Sequence, residues 1–340
     1  MKKTIYIVFI MLLFIATQAM AQTDRIGTAG ANELLIPVGA RGVAMGSSTV
    51  TNSVGADAIF WNPANVARSE NGFDLMASNM TYIADISIIY GAVAVKAGSF
   101  GSLGFSIKSL SMDGILKTTV ENPDGSGQTF KPQHIIMGVT WAKLLTDKIA
   151  IGFNVNYISE TIDLVSATGF GFDFGVTYSD LGGIDGLDFG VALKNFGADM
   201  KFDGTGLWTE ALAADQKRGS QFYKIDAATF SLPTNFDIAL GYNLDFNESN
   251  ALQLSGVYTN NTFYPEQMKF GVEYGYDNLL FLRAGYIYTD EYDASDVMYK
   301  LAAGLGINYE VSGVNILFDY TFLPAEYMDD THLITVGLGL

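Results

Sequence analysis

The chain has 340 residues, is 49% hydrophobic, contains 37 Gly, 23 Phe and 18 Tyr, and carries a formal charge of −17. That sign excludes nucleic acid as a partner and peripheral docking on anionic lipid. The absence of cysteine excludes disulfides, thiol chemistry and a lipidated N-terminal cysteine together.

Residues 1–21 read as a secretory signal peptide. Lys2 and Lys3 form a charged start, residues 5–16 are almost wholly apolar, and Ala19-Met20-Ala21 is a small-residue cleavage site. The mature chain is expected to begin near Gln22, and losing Lys2 and Lys3 moves the charge from −17 to −19. No later apolar run is long enough for a transmembrane helix, for which about 18 residues are needed. An exported, apolar chain without helical spans points to a β-barrel.

Residues 39–68 form a glycine-dotted segment ahead of a β-rich remainder. Asn62 is a good N-cap and Pro63 suits a first helical position, so residues 64–68 are expected to supply one helical turn. Asp57 is expected to cap another short turn through Trp61. A segment this rich in small residues buries too little apolar surface to fold alone, and it is expected to sit as a hatch, residues 22–72, inside a host formed by residues 73–340.

From Phe73 onward apolar residues recur with period two. Ile149, Ile151, Phe153, Val155 and Tyr157 oppose Ala150, Gly152, Asn154 and Asn156; Phe170, Phe172, Phe174, Val176 and Tyr178 oppose Gly169, Gly171, Asp173, Gly175 and Thr177. Apolar outside and small or polar inside is the pattern of an outer-membrane barrel. About fourteen such segments are counted, beginning near Phe73, Ile86, Gly101, Gln133, Lys148, Thr168, Leu187, Asn235, Asn250, Glu266, Leu279, Tyr299, Gly313 and His332. In the second segment, Ile86, Ile88 and Tyr90 compete with Ile89, Val93 and Val95 for the outer face.

The connections support the count. They are short after even-numbered strands and long after the third and seventh, at residues 111–132 and 197–234, as in barrels with short periplasmic turns and longer outer loops. Tyr157, Tyr258, Tyr288 and Tyr320 fall at loop ends of their strands, and Tyr178, Tyr242, Tyr276 and Tyr309 at turn ends, so two interfacial belts are expected.

Gly39-Ala40-Arg41, Ala44-Met45-Gly46, Asp57 and Trp61-Asn62-Pro63-Ala64, together with the strand count, resemble the PorV/PorQ family, a branch of the FadL-like outer-membrane barrels. Lys194-Asn195-Phe196-Gly197, Leu232-Pro233-Thr234 and Arg283-Ala284-Gly285-Tyr286 also look like family features. The resemblance implies a fourteen-stranded barrel in the outer membrane of a Gram-negative-type bacterium, with an N-terminal hatch in its lumen. Its first functional implication is an accessory of type IX protein secretion, whose partners would be the translocon and secreted cargo. The alternative is a FadL-like carrier of long-chain fatty acids or other hydrophobic small molecules. The short connection at residues 163–167 departs from FadL and argues against a surface groove of that type. The barrel is expected to be monomeric, with outer-membrane lipid around it.

No catalytic, cofactor or metal site is expected. Only His134 and His332 are available as imidazoles, the first facing the lumen and the second outward, and no serine is implied to meet either. Lumen-facing Lys108, Asp173, Asp188, Lys194, Asp237, Lys269, Glu273, Arg283, Lys300 and Asp319 are expected to pair with one another and with hatch groups, Arg41 reaching a wall carboxylate. The acidic loop residues Asp290, Glu291, Asp293, Asp296, Glu326, Asp329 and Asp330 lack EF-hand spacing and read as solvated rather than Ca²⁺-binding. Residues 206–218 are expected to form a short helix with Leu207, Trp208, Ala211 and Leu212 on one side, a candidate docking surface for a partner or ligand. A third class, a structural barrel engaging other envelope proteins, would use the same loop.

Overall fold

The structure is a computed structural model and describes residues 30–211, 220–289, 299–325 and 328–340. The expected signal peptide, Leu212, Glu326 and the acidic residues 290–296 lie outside the described residues.

Fourteen antiparallel strands close a barrel: β1 (Phe73–Thr81), β2 (Ser87–Lys96), β3 (Ser102–Ser111), β4 (Gln133–Leu144), β5 (Ile149–Ile162), β6 (Val165–Tyr178), β7 (Leu187–Gly197), β8 (Asn235–Asn247), β9 (Asn250–Asn261), β10 (Gln267–Tyr276), β11 (Leu280–Tyr288), β12 (Leu301–Val311), β13 (Val314–Leu323) and β14 (Thr331–Gly339). Each strand pairs with its sequence neighbours. The seam is β1 with β14, from Asp74 opposite Gly339 to Thr81 opposite His332. Closure leaves no unpaired sheet edge, as a wall facing hydrocarbon requires. Among the described residues no helix is long and apolar enough to cross a membrane.

The alternation in sequence becomes two faces. Phe170, Phe174, Leu240, Leu282, Leu305 and Ile334 stand exposed on the outside, with Ser255, Asp237, Arg283 and Thr335 buried inside. In β2 the competition resolves in favour of Ile89 and Val95 outside, with Ile88 and Tyr90 inward. None of the eight tyrosines expected in the belts is buried. His332 also faces outward, and its Nδ1 lies 2.7 Å from the Tyr320 hydroxyl. Tight turns join strands at one end: Asp277 and Asn278 both have positive φ, as do Ser312 and Gly313, the combination of a type I′ hairpin turn. Because these apolar side chains would face lipid, a charge among them is costly. Leu305→Arg, mid-strand in β12, is expected to destabilise the barrel by roughly 2–4 kcal/mol in refolding titrations into bilayers. An unchanged midpoint would mean that this face is not lipid-exposed.

Residues 30–72 run along the inside of this wall. Helix α1 (Ala40–Ala44) lies against β11 to β14, helix α2 (Gly55–Trp61) against β1 to β3, and a 3₁₀ helix, Pro63–Arg68, against β3 to β6. Between the two α-helices the chain passes β11, β10 and β9, where Gly46 meets Gly285 and the Ser48 hydroxyl lies 2.5 Å from that of Ser255. The segment therefore circles nearly the whole inner circumference. Small residues on the inner face make room: a Cβ on Gly175 would stand 1.9 Å from Asn62 Oδ1, and one on Gly152 2.2 Å from the Pro63 carbonyl carbon.

Two local expectations are corrected. Asp57 caps no helix; α2 starts from Val54 with no side-chain cap, and Asp57 lies within its first turn. The described part of residues 206–218 is not helical. Trp208–Ala211 forms a strand paired with Gln221–Lys224, Trp208 opposite Lys224 and Thr209 opposite Tyr223. Aromatic and β-branched side chains favour such a pair, whereas an isolated turn of helix gains too few hydrogen bonds to offset its nucleation cost.

Candidate functional site

The residues singled out near the N-terminus are brought together inside the barrel. Asn62 caps the 3₁₀ helix, its Oδ1 accepting from the Ala64 N–H at 3.1 Å. Its Nδ2 donates to the Val50 carbonyl at 3.0 Å and to Thr177 Oγ1 on the wall at 3.1 Å. Pro63 follows in the first helical position, and Trp61 is buried edge-on against Phe60, their ring centroids 5.0 Å apart. A Cβ on Gly42 would stand 2.4 Å from the Trp61 ring, so a glycine one helix earlier sets how closely α1 approaches α2.

Arg41 makes the central electrostatic link. Its Nε and Nη2 grip the two Glu273 oxygens at 2.9 and 3.0 Å, while Nη1 donates to the Asn52 carbonyl at 3.0 Å and Nη2 to Gln253 at 2.8 Å. Glu273 also accepts from Arg283, whose Nη1 is 2.5 Å from Asp319. Two cations and two anions therefore alternate along one chain, joining β10, β11 and β13 to the N-terminal segment. The Oδ2 of Asp57 is buried without a hydrogen-bond partner, and desolvation pushes the carboxyl above the usual range, with Arg41 opposing the shift.

Other inward charges are matched as well. Arg68 meets Asp188 at 3.2 Å, and Lys194 meets Asp237 at 3.4 Å. Asp173 accepts from the Asn154 and Asn156 amides, both at 2.8 Å, and from the Asn195 backbone N–H at 2.7 Å. This last bond sits at a register shift between β6 and β7, where Asn195 has φ of 58°. The bulge joins two of the motifs noted in the sequence: the Asn195 side chain donates to the Pro233 carbonyl, and Thr234 Oγ1 donates to the Asn195 carbonyl.

Above the segment, toward the loop ends of the strands, lies a cavity of about 830 Å³. Phe60, Trp61, Tyr82, Leu110, Tyr299 and Leu323 give it an apolar side, and Lys108, Lys194, Lys269 and a set of asparagines give it a polar one. The Lys108 and Lys194 ammonium groups each lie 5.1 Å from the centre of the Phe60 ring, favourable positions for a cation over an aromatic face. Lys108 pairs with the N-terminal segment, as expected of a lumen-facing charge, but through main-chain oxygens and not a carboxylate. Its Nζ donates to the carbonyls of Glu33 and Ile36, at 2.6 and 2.5 Å. Phe60 and residues 32–36 are the contributors that sequence reading missed. Phe60 interrupts no pattern, and residues 32–36 precede the glycine-dotted stretch that marked the segment. Leu207 and Trp208 lie away from the cavity, with Trp208 51% exposed on the outer hairpin.

A barrel whose lumen holds its own N-terminal segment, with an amphipathic cavity toward the loop ends, defines the fold class: a closed fourteen-stranded antiparallel β-barrel like those of the FadL-type channels. No family model matches the chain, and no curated protein sequence does. Among solved structures it is similar to the Pseudomonas putida toluene transporter TodX, with a TM-score of 0.57 and 15% identity over 87% of this chain and 96% of that one. It is similar also to the CymD monoaromatic hydrocarbon channel, with a TM-score of 0.53 and 12% identity over 89% and 97% of the two chains. A Pseudomonas aeruginosa FadL homologue gives a TM-score of 0.51 and 13% identity over 89% and 98%. None of these similarities connects the chain with type IX secretion.

Proposed function

We propose that this protein is an outer-membrane channel for hydrophobic or amphiphilic small molecules, with residues 30–72 acting as its hatch. The observation that carries the reading is the cavity of about 830 Å³ between that segment and the loop ends, apolar on one side and polar on the other. Its size falls in the range of small-molecule sites, roughly 300–1,000 Å³, and a few polar groups on an apolar wall are what fix a ligand's orientation. Similarity in fold to a toluene transporter and a monoaromatic hydrocarbon channel supports the same reading. The ligand class that fits is an apolar body with a small polar end, a long-chain fatty acid or an aromatic compound. Entry from the loop side brings it first to Tyr82 and Tyr299, then to Phe60 and Trp61.

Expression in a Gram-negative host lacking its own channel of this kind is expected to raise initial uptake of labelled long-chain fatty acid or toluene several-fold over empty vector. Phe60→Ala should change the concentration dependence of that uptake. Uptake no faster than the vector control for either solute class would reject the proposal. Loss of extracellular proteins on gene deletion, with uptake unchanged, would instead favour the type IX accessory role to which the sequence motifs point.

A further inference from the structure

Near the loop-side rim of the cavity three ligating side chains converge from separate parts of the chain. Glu33 comes from the start of the N-terminal segment, His134 from the beginning of β4, and Glu160 from the end of β5. One ligand atom from each lies within 4.8 Å of the others. His134 Nδ1 is 3.2 Å from Glu33 Oε1 and 4.0 Å from Glu160 Oε2. Two donors held at 2.0–2.1 Å by one tetrahedral ion stand about 3.3 Å apart, so the first spacing already matches a shared ion and the second lies within a small rotamer adjustment of it.

A second observation points to a ligand. Glu33 is 6% exposed and Glu160 4% exposed, yet Glu160 Oε1 is buried without a hydrogen-bond partner, and Glu33 Oε1 and His134 Nδ1 have none beyond their 3.2 Å approach to each other. Buried polar atoms left unpaired are costly, and two carboxylates brought together repel. The Lys108 ammonium does not answer them, because its hydrogen bonds go to the carbonyl oxygens of Glu33 and Ile36. Nor is Glu33 a drifting terminus. Its neighbour Leu34 is buried in a cluster with Ile136, Ile158, Met200 and Leu232, so the carboxylate is delivered to the wall by packing that needs no ion.

We propose that Glu33, His134 and Glu160 form a binding site for a first-row divalent cation of the Zn²⁺ type, which ties the start of the N-terminal segment to the β4–β5 wall. An imidazole with two carboxylates suits such an ion and leaves a position for water. Ca²⁺ and Mg²⁺ fit less well, since they take oxygen ligands and more of them. The ion would neutralise the paired carboxylates and bridge the hatch to the barrel where a solute enters.

The test uses the mature, untagged chain purified in detergent, stripped with EDTA and titrated with ZnCl₂, with bound zinc counted by mass spectrometry after gel filtration. One equivalent per barrel is expected. His134→Gln should weaken binding by at least about tenfold, while His332→Gln, which alters the only other imidazole, should bind like wild type. Substituting Co²⁺ should give a visible absorption band that His134→Gln abolishes. Glu33→Gln is the decisive second variant, because it lies outside the wall strands and leaves the barrel free to close. Failure of wild type to retain zinc would overturn the proposal, leaving a protonated pair as the site's occupant. Equal retention by wild type, Glu33→Gln and His134→Gln would overturn it too, placing the ion on the acidic loops.

Discussion

Glu273→Ala is expected to loosen the N-terminal segment from the barrel wall. Glu273 accepts from both Arg41 and Arg283, and its removal leaves two guanidinium groups without the carboxylate that joined them, with only Asp319, bound to Arg283, left in the chain to offset their charge. Arg283 and Asp319 side chains are each 1% exposed, so water cannot screen the surplus charge. Removing one partner from a buried charge network costs about 3–5 kcal/mol, most of it from the charge left behind. Because Arg41 belongs to the segment and Arg283 to the wall, the segment can relieve the repulsion by withdrawing. The expected result is a lower thermal midpoint by circular dichroism, together with new protease cleavage within residues 30–72. Glu273→Gln keeps the shape and one acceptor but not the charge, and should fall between the two. A variant with unchanged midpoint and unchanged protection would show that the ion chain does not hold the segment.

The wall was legible in the sequence because its rule is local. Strands facing lipid on one side and a lumen on the other must alternate at period two, and the fourteen expected starts fall within three residues of those observed, from Phe73 to Thr331. The same rule placed His134 inside, His332 outside and Arg283 in the lumen. What fills the lumen obeys no period. That Arg41 would reach a wall carboxylate followed from the need to pair a buried charge, but that it would be Glu273, 232 residues away, depended on how α1 sits against β11 to β14. Glu33 went unnoticed for the same reason: it stands alone in sequence, and only the path of the segment brings it to His134. The outer hairpin at Trp208 was misread as a helix because an apolar cluster with helical spacing competes poorly with a pairing partner, Gln221–Lys224, that lies beyond the window in which spacing is judged. The ligand class was open between cargo proteins and hydrophobic solutes, and it took the shape of the cavity and the similar structures to favour the second.

Gly285→Val is expected to open an ion-conducting path through the barrel. A Cβ at Gly285 would stand 1.9 Å from the Gly46 nitrogen and 2.4 Å from the Gly46 Cα and the Met45 carbonyl carbon. These are main-chain atoms, which cannot swing aside as a side chain can, so a single added carbon forces the segment off β11. The wall should tolerate the change. Gly285 is not among the glycines with positive φ, and it keeps its place opposite Gly271 and Ala302, so a β-branched residue suits the strand itself. Gly256→Ala supplies the contrast, since the nearest atoms to a new Cβ there belong to the Phe270 ring at 3.8 Å, an ordinary contact. In planar bilayers Gly256→Ala should behave as wild type does, while Gly285→Val conducts more. If the effect acts through the segment, a chain lacking residues 22–71 should conduct whether or not position 285 is glycine, with the same unit conductance and the same thermal midpoint. A midpoint that falls in the truncated Gly285→Val barrel would locate the damage in the wall itself, and close approach to Gly46 would no longer explain why β11 carries a glycine at that point.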